Sequence, residues 1–387
     1  MPRPLTIAYV TVEDAADKRS WSGSLYYLAK ALRAEGHTVI PIGPLRPQPV
    51  SYLCRLFNQI TLRLVGKRFH YRDSFILSKA YARIIQERLR GVEADVVLAP
   101  AGLSAIAHLR TPLPIVHFND RSIAGALGYH AILKDLFDWS RDQSLALERL
   151  ALRNAALTVY ASDWAAGAAR SSCPEAAHKV VVIPMGANLE HVPPPPAPRG
   201  FPSGTITLLF IGVHWENKGG PFAVEALREL GKRGINARLI VCGCDVPAEV
   251  RDENILREGF LSKSDPAQHA RLEEHLRTAD FLILPTRFEA YGIAFCEAAA
   301  YGIPALGTRT GGVPTIVQDG VTGHLFDLAD GGVAYADRIE RMISDPQAWQ
   351  RMRQAARKRF EEHFTWTAFV TALMRKVQEA DLVSSAR

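Results

Sequence analysis

Short apolar runs and amphipathic stretches alternate through the first half of the chain. The alternation opens with an apolar run at 6–10, a helical pattern at 23–35 that stops at Gly36, and a second run at 38–43. Apolar runs without polar alternation are typical of strands that a parallel sheet buries on both faces. The same pattern predicts strands at 95–99, 113–118, 157–161 and 180–184 and a helix at 140–154.

A proline-rich segment interrupts this alternation at 193–200. Neither a helix nor a central strand passes through such a segment, because proline fixes φ and has no backbone donor. We therefore predict a domain of 1–192, a linker of 193–200 and a domain of 201–365, with 366–387 as a closing helix that packs back on the first domain. The second domain is predicted to have strands at 205–212, 237–243, 256–260, 280–286 and 303–307.

Length and composition fit this two-domain α/β prediction. A chain of 387 residues exceeds the usual size of one hydrophobic core, and 48% apolar with 22% charged residues is typical of a globular protein. Its apolar runs are shorter than the roughly 18–20 residues of a spanning helix. The first apolar run is interpreted as a strand rather than a secretion signal, so we expect a cytoplasmic protein.

The five cysteines do not resemble a disulfide framework, and they fit a reducing compartment. Cys242 and Cys244 form a C-x-C pair on a predicted strand. No second cysteine or histidine pair stands at zinc-like spacing, so we predict buried small side chains and no metal site.

The net charge of +6 favours acidic partners. Residues 51–90 contain nine Lys or Arg against two acids, interleaved with apolar residues in a helical pattern. This pattern fits either a basic amphipathic surface that meets anionic lipid or a solvated helix face. Nucleic acid is disfavoured, because no recognised binding motif accompanies the charge.

The segment 284–304 is the most informative for chemistry. A predicted strand ends at Pro285, a loop carries Glu289 and Gly292, and a helix is expected to begin at Ile293. The N–H groups of a first helical turn bind phosphate, and Glu297, one turn further, is placed to accept hydrogen bonds from ribose hydroxyls. Glu289, before the helix, would meet sugar hydroxyls. The alternative is that both glutamates are solvated surface carboxylates.

Here the chain resembles the retaining glycosyltransferases of family 4, whose E-x7-E motif is matched by Glu289 and Glu297. Residues 210–220 and 310–323 are similar to the phosphate loop and the segment after the motif in that family. The resemblance implies a GT-B fold of two Rossmann-like domains facing each other across a cleft. It also implies a UDP- or GDP-linked sugar donor in the second domain, an acceptor in the first, retention of configuration and no metal. The implied donor-binding residues are Gly23, Gly212, Lys218, Glu289, Gly292, Ile293 and Glu297.

Lys218 is expected to neutralise the donor diphosphate as it departs. Many members of the family have an arginine directly after the glycine that ends the strand, and this chain has Val213 there. The alternative for Lys218 is a solvated charge at a helix start.

The first domain offers a glycine loop and a strand end. Residues 21–25, with Gly23, resemble the loop that faces the donor phosphates. Many members carry a functional histidine near the end of the strand predicted at 113–118, where this chain has His117 and Asp120. Asp120 is favoured as the catalytic residue, because a lone histidine in an apolar strand is more often part of the core. Together with Lys218 and Glu289, these two residues are the catalytic candidates.

The resemblance therefore implies a hexosyltransferase that acts on a glycan or lipid-linked acceptor, as in polysaccharide biosynthesis, with the inner face of a membrane as a candidate location. Two alternatives stay open: a sugar-nucleotide epimerase on the same fold, and a catalytically weak nucleotide-sugar-binding subunit. An NAD-type oxidoreductase is disfavoured, because no G-x-G-x-x-G follows a predicted strand.

Overall fold

The computed structural model describes residues 3–129, 133–197, 200 and 204–383. The chain divides into two compact units: Met1–Pro184 together with Trp366–Arg387, and Met185–Thr365. Residues 198 and 199 of the predicted linker lie outside the described residues. The linker prolines that come before residue 198 belong to the second unit. There, Nη1 of Arg357 donates to the carbonyl of Pro193 at 2.9 Å.

The first unit is built on a six-stranded parallel sheet with the order β2-β1-β3-β4-β5-β6. Its strands are β1 (Thr6–Tyr9), β2 (Thr38–Pro41), β3 (Val96–Pro100), β4 (Ile115–Asn119), β5 (Leu157–Tyr160) and β6 (Val180–Val182). Its helices are α1 (Ser24–Ala34), α2 (Val50–Val65), α3 (Phe75–Leu89), α4 (Leu103–Ile106), α5 (Ile123–Ala126), α6 (Asp138–Asn154), α7 (Asp163–Ser172) and α14 (Trp366–Glu379), with 3-10 turns at Ser20–Gly23, Tyr71–Asp73 and Pro174–Lys179.

The second unit has a six-stranded parallel sheet with the order β12-β11-β10-β7-β8-β9. Its strands are β7 (Ile206–Ile211), β8 (Ala237–Cys242), β9 (Ile255–Gly259), β10 (Phe281–Leu284), β11 (Ala305–Thr308) and β12 (Gly323–Phe326). Its helices are α8 (Gly220–Lys232), α9 (Pro266–Thr278), α10 (Ile293–Ala300), α11 (Val313–Ile316), α12 (Gly332–Ser344) and α13 (Pro346–His363).

Buried apolar strands form the centre of both sheets, as the sequence pattern predicts. Every residue of β3 and of β10 is buried. Each predicted strand is present with its ends shifted by a few residues, whereas β12 is missing from the prediction. This edge strand reads Gly-His-Leu-Phe and its two middle residues are only partly buried, so it lacks the continuous apolar pattern of the others.

The closing helix α14 belongs to the first unit. Its Phe369 is fully buried, and its ring centroid lies 4.6 Å from that of Phe118 at the end of β4. The two ends of the second unit lie side by side, and the N–H of Ala187 donates to the carbonyl of Phe364 at 2.8 Å.

Among the described residues, no helix combines the length and the apolar character that crossing a membrane requires.

Candidate functional site

In the sheet of the second unit, β7 and β10 lie side by side, and the direction in which the chain adds further strands reverses between them. From β7 the chain passes through α8 to β8 on one side, and from β10 it passes through α10 to β11 on the other. In open α/β sheets, ligands bind at such a reversal, outside the carboxyl ends of the strands. The loops after β7 and β10 are therefore the place where a ligand of this unit is expected.

Hydrogen bonds hold these two loops together. The carbonyl of Asn217 accepts from the N–H of Arg287 at 2.8 Å and from the hydroxyl of Thr286 at 3.2 Å. The side-chain amide of Asn217 donates to the carbonyl of Phe288 at 3.3 Å. The loops form one bonded surface, so the residues that they carry have fixed relative positions.

Lys218 and Glu289 form an ion pair across the two loops, between Nζ and Oε2. Their side chains are only 17% and 11% exposed. Gly212, at the end of β7, makes room for the lysine, since a Cβ atom at Gly212 would lie 2.6 Å from Cγ of Lys218. The predicted phosphate cation and the first carboxylate of the E-x7-E motif are thus in direct contact. The next residue, Val213, is 56% exposed.

Gly292 caps the N-terminus of α10 with a φ of 102°, a left-handed conformation that suits glycine. No side chain caps this helix. The preceding Tyr291 is buried and its hydroxyl donates to the carbonyl of Met185 at 3.0 Å, which anchors the turn. The N–H groups of the first turn, beginning at Ile293, therefore form a fixed, positively polarised helix end beside Glu289.

Glu297, on the second turn of α10, is 2% exposed and pairs through Oε1 with Nζ of Lys263. The same ammonium donates to the carbonyl of Asn188 at 3.1 Å. Lys263 is absent from the sequence prediction. One feature of the sequence points to Lys263: it lies in the loop after β9, and the loops that follow parallel strands lie at the same edge of the sheet as the other site residues.

Both motif carboxylates are therefore buried and paired with lysines. This excludes the alternative interpretation of Glu289 and Glu297 as solvated surface carboxylates. Two buried acceptors, two ammonium groups and a helix N-terminus at one sheet edge suit a ligand with both phosphate and hydroxyl groups. The individual roles of these residues stay predictions.

In the first unit, the glycine loop and the end of β4 are brought together. The indole N–H of Trp21 donates to Oδ2 of Asp120 at 3.2 Å, and the Trp21 ring lies 5.3 Å from that of Phe118. Trp21, Ser22 and Gly23 have positive φ values of 46°, 57° and 92°. This backbone is strained at Trp21 and Ser22, which are not glycines, and such strain persists where the surroundings hold it and is concentrated at functional sites.

His117 lies inside the sheet of the first unit. It is fully buried, and its Nδ1 is 3.1 Å from the carbonyl of Ala99. Its Nε2 has no hydrogen-bond partner among the described residues. Burial lowers the pKa of His117 to about 4, so the ring is neutral at pH 7. Of the two catalytic candidates here, the geometry favours Asp120 as the residue that meets a ligand.

The cysteines are buried thiols. Burial raises the pKa of Cys242 to about 12 and that of Cys244 to about 11, which fits the small-hydrophobe interpretation. In the part of the chain that the structure describes, no three His, Cys, Asp or Glu side chains are grouped so as to hold a metal ion.

Two family models together match most of the chain. Residues 23–191 match the model described as Glycosyltransferase Family 4, and residues 196–359 match the model described as Glycosyl transferases group 1. The second match contains Lys218, Lys263, Glu289 and Glu297.

Curated and solved proteins agree with these matches. The D-inositol 3-phosphate glycosyltransferase of Corynebacterium diphtheriae is 29% identical over 228 residues, which are 54% of this chain and 52% of that protein. The chain thus spans about half the length of this curated relative. Sucrose-phosphate synthase from Thermosynechococcus elongatus superposes with a TM-score of 0.67 at 18% identity, covering 97% of this chain and 99% of that one.

HepE from Anabaena, solved with UDP-glucose, gives a TM-score of 0.62 at 15% identity and covers 97% of this chain and 100% of that one. Likeness at such identities concerns the fold, and it confirms the predicted GT-B fold of two Rossmann-like domains. The paired family models, the E-x7-E carboxylates and the fold lead to the same conclusion. The chain belongs to glycosyltransferase family 4.

Proposed function

We propose that this chain transfers a hexose from a UDP- or GDP-linked donor to an acceptor, with retention of configuration and without a metal ion. The observation that carries the proposal is the pair of buried lysine–glutamate contacts, Lys218 with Glu289 and Lys263 with Glu297, at the point where the sheet order reverses. A nucleotide diphosphate sugar has the anionic centre and the hydroxyl groups that this set of side chains complements.

The donor would lie along the sheet edge with its diphosphate at the N-terminus of α10. Glu297 would accept hydrogen bonds from the ribose hydroxyls, and Glu289 from the hydroxyls of the sugar. Lys218 would neutralise the diphosphate. Because Lys218 and Glu289 already touch, a bound sugar and its phosphate would each find a partner without rearrangement of the loops.

The chemical step breaks the bond between the anomeric carbon and the diphosphate oxygen and forms a bond to the acceptor oxygen. Lys218 and the N–H groups of α10 would stabilise the negative charge that develops on the leaving diphosphate. The acceptor proton would pass to an oxygen of that diphosphate, so no separate base is required. The first domain would bind the acceptor and contribute Asp120 as a catalytic candidate, and the loop at Gly23 stays a candidate for binding the donor diphosphate.

The acceptor is proposed to be a glycan or a lipid-linked precursor of one, met at the cytoplasmic face of a membrane. The net charge of +6 supports an anionic partner of this kind. We propose no nucleic-acid partner.

Calorimetry and thermal shift with UDP, GDP, ADP and their common sugar conjugates, without added metal, test the donor site. One diphosphate is expected to stabilise the wild type. Glu297→Gln should weaken its binding by about 1.5–3 kcal/mol, the usual value of a hydrogen bond to a charged group. The matched control is Glu274→Gln, because Glu274 forms an exposed ion pair with Arg277 on α9, at 3.0 Å.

Absence of binding by every nucleotide would overturn the donor-site proposal. Equal affinity of the wild type and Glu297→Gln would overturn the role of Glu297 in particular.

A further inference from the structure

Helix α2 exposes large apolar side chains along one face. Its buried side is narrow: Cys54 and Thr61 are buried, and Oδ1 of Asn58 accepts from the N–H of Phe69 at 2.8 Å. The exposed residues are spaced so that they fall within less than half of the helix circumference. They are Tyr52 (62% exposed), Leu53 (58%), Leu56 (40%), Phe57 (47%), Ile60 (45%) and Leu64 (79%), called the α2 face below.

This concentration is unusual for the molecule. The described residues include 16 exposed large hydrophobic side chains, and seven of them, the α2 face and Val65, lie on this one helix. Single exposed apolar residues need no explanation, whereas a contiguous patch marks a binding surface.

Aromatic residues extend the α2 face onto the neighbouring segment. The ring of Phe69 lies 5.7 Å from that of Phe57 and 5.1 Å from that of Trp139. Trp139, at the start of α6, is 47% exposed. Tryptophan is enriched where a protein meets the boundary between membrane and water, because its ring is apolar and its N–H is polar.

Positive charge borders the α2 face. On α2, Arg55 is exposed beside the α2 face and Arg63 is exposed at the edge of this face, while Lys67 is exposed shortly after the helix. No acidic residue occurs from 50 to 72. Asp138, which precedes Trp139 in the chain, pairs with Arg141 at 3.0 Å. An apolar face with a cationic border is the arrangement of helices that lie in the plane of an anionic membrane surface.

We propose that the α2 face and Trp139 dock onto an anionic lipid bilayer, with α2 lying in the interface and Arg55, Arg63 and Lys67 at the headgroups. A second copy of the chain is disfavoured as the occupant. A symmetric dimer on this face would place the same cations close to one another, and it would contain no acid from 50–72 to pair with them. This proposal rests on the proposed function in one respect, since it names the surface that would meet the membrane at which the acceptor is proposed to lie, and it does not depend on the donor site.

Vesicle co-sedimentation tests the proposal, with vesicles of phosphatidylcholine alone and of phosphatidylcholine mixed with phosphatidylglycerol. The wild type is expected to bind the mixed vesicles at least tenfold more tightly. Leu53→Gln with Leu64→Gln should lower this binding by at least tenfold, because both side chains are exposed and lose apolar contact. Arg55→Gln with Arg63→Gln should lower binding to the mixed vesicles by roughly thirtyfold at low salt, because each of the two charges contributes about 1 kcal/mol of attraction to the anionic surface.

The matched control is Val333→Gln on α12, whose side chain is 43% exposed. It should bind vesicles like the wild type. All variants should keep the wild-type thermal shift with nucleotide, so failure of the lipid proposal is distinguishable from failure of the donor site.

Wild type that stays in the supernatant with anionic vesicles would overturn the proposal, as would binding that both double variants retain. Gel filtration gives a further decisive outcome. If the wild type is a dimer that Leu53→Gln with Leu64→Gln converts to a monomer, and it binds no vesicles, the α2 face is a contact between copies.

Discussion

The aliphatic stem of Lys218 occupies the space in which Gly212 would carry a side chain. A Cβ atom at Gly212 would lie 2.6 Å from Cγ and 3.1 Å from Cβ of this lysine. The glycine that ends β7 therefore determines where the ammonium group lies, and with it the contact to Glu289.

We expect Gly212→Ala to displace Lys218 and to weaken diphosphate binding by about tenfold, since the flexible lysine gives way more easily than the backbone. The loss of stability should stay at the lower end of the 1–3 kcal/mol that overpacking costs. Calorimetry with the best nucleotide and thermal unfolding measure the two effects. The control is Gly231→Ala on α8, where a Cβ atom would meet nothing within 4 Å and where alanine favours the helix.

Lys218→Met should lower the rate of sugar transfer by about 10²- to 10³-fold, because the charge that stabilises the leaving diphosphate is removed. It should also reduce stability, since the largely buried carboxylate of Glu289 loses its contact with the ammonium group of Lys218. Adding Glu289→Gln should restore the melting temperature and leave transfer low. Lys232→Met, at a side chain that is 74% exposed, is the control. Transfer at the wild-type rate in Lys218→Met would contradict the role of this lysine.

Lys263 is predicted to orient Glu297. Lys263→Met should weaken nucleotide binding, because the carboxylate loses the ammonium that fixes it beside the carbonyl of Asn188. The effects of Lys263→Met and Glu297→Gln should not add: a double-mutant cycle of binding free energies is expected to give a coupling of about 0.5–3 kcal/mol. Strictly additive effects would show that the two residues act separately.

His117 should make stability depend on pH. Its pKa falls from the ordinary 6.5 to about 4 on burial, so between these values the unfolded chain binds a proton that the folded chain does not. The free energy of unfolding is therefore highest above pH 6.5 and falls as the pH drops from 6.5 towards 4, by on the order of 3 kcal/mol from this residue.

His117→Gln removes the titrating group and keeps a side chain that can donate to the carbonyl of Ala99. Its melting temperature should fall less than that of the wild type between pH 7 and pH 4.5. His214→Gln, at an exposed position in the second unit, is the control. Parallel pH profiles for wild type and His117→Gln would show that another group causes the dependence.

Sequence patterns predict the parts of this fold that depend on local composition. The apolar runs of β3 and β10 are buried on both faces and are readily predicted, whereas β12 at a sheet edge has too few apolar residues to be recognised. The spacing of Glu289 and Glu297 identifies the two carboxylates. The burial of these carboxylates and the lysines that contact them do not follow from that spacing.

Contacts between distant segments are the part that the sequence does not predict. Lys263 reaches Glu297 across 34 positions, and Trp21 reaches Asp120 across 99. Each contact depends on which strands lie side by side in the sheet, and the resulting neighbours are set by topology rather than by local pattern.

The hydrogen bond between Ala187 and Phe364 closes the second unit on itself at its entry and exit. Along the chain, the second unit is an insertion between β6 and α14 of the first unit, and the two ends of the second unit lie side by side. Residues 185–365 can therefore be cut out as a single piece whose termini need no bridging. Since Lys218, Lys263, Glu289 and Glu297 all lie within it, the proposed nucleotide site should be portable with that piece.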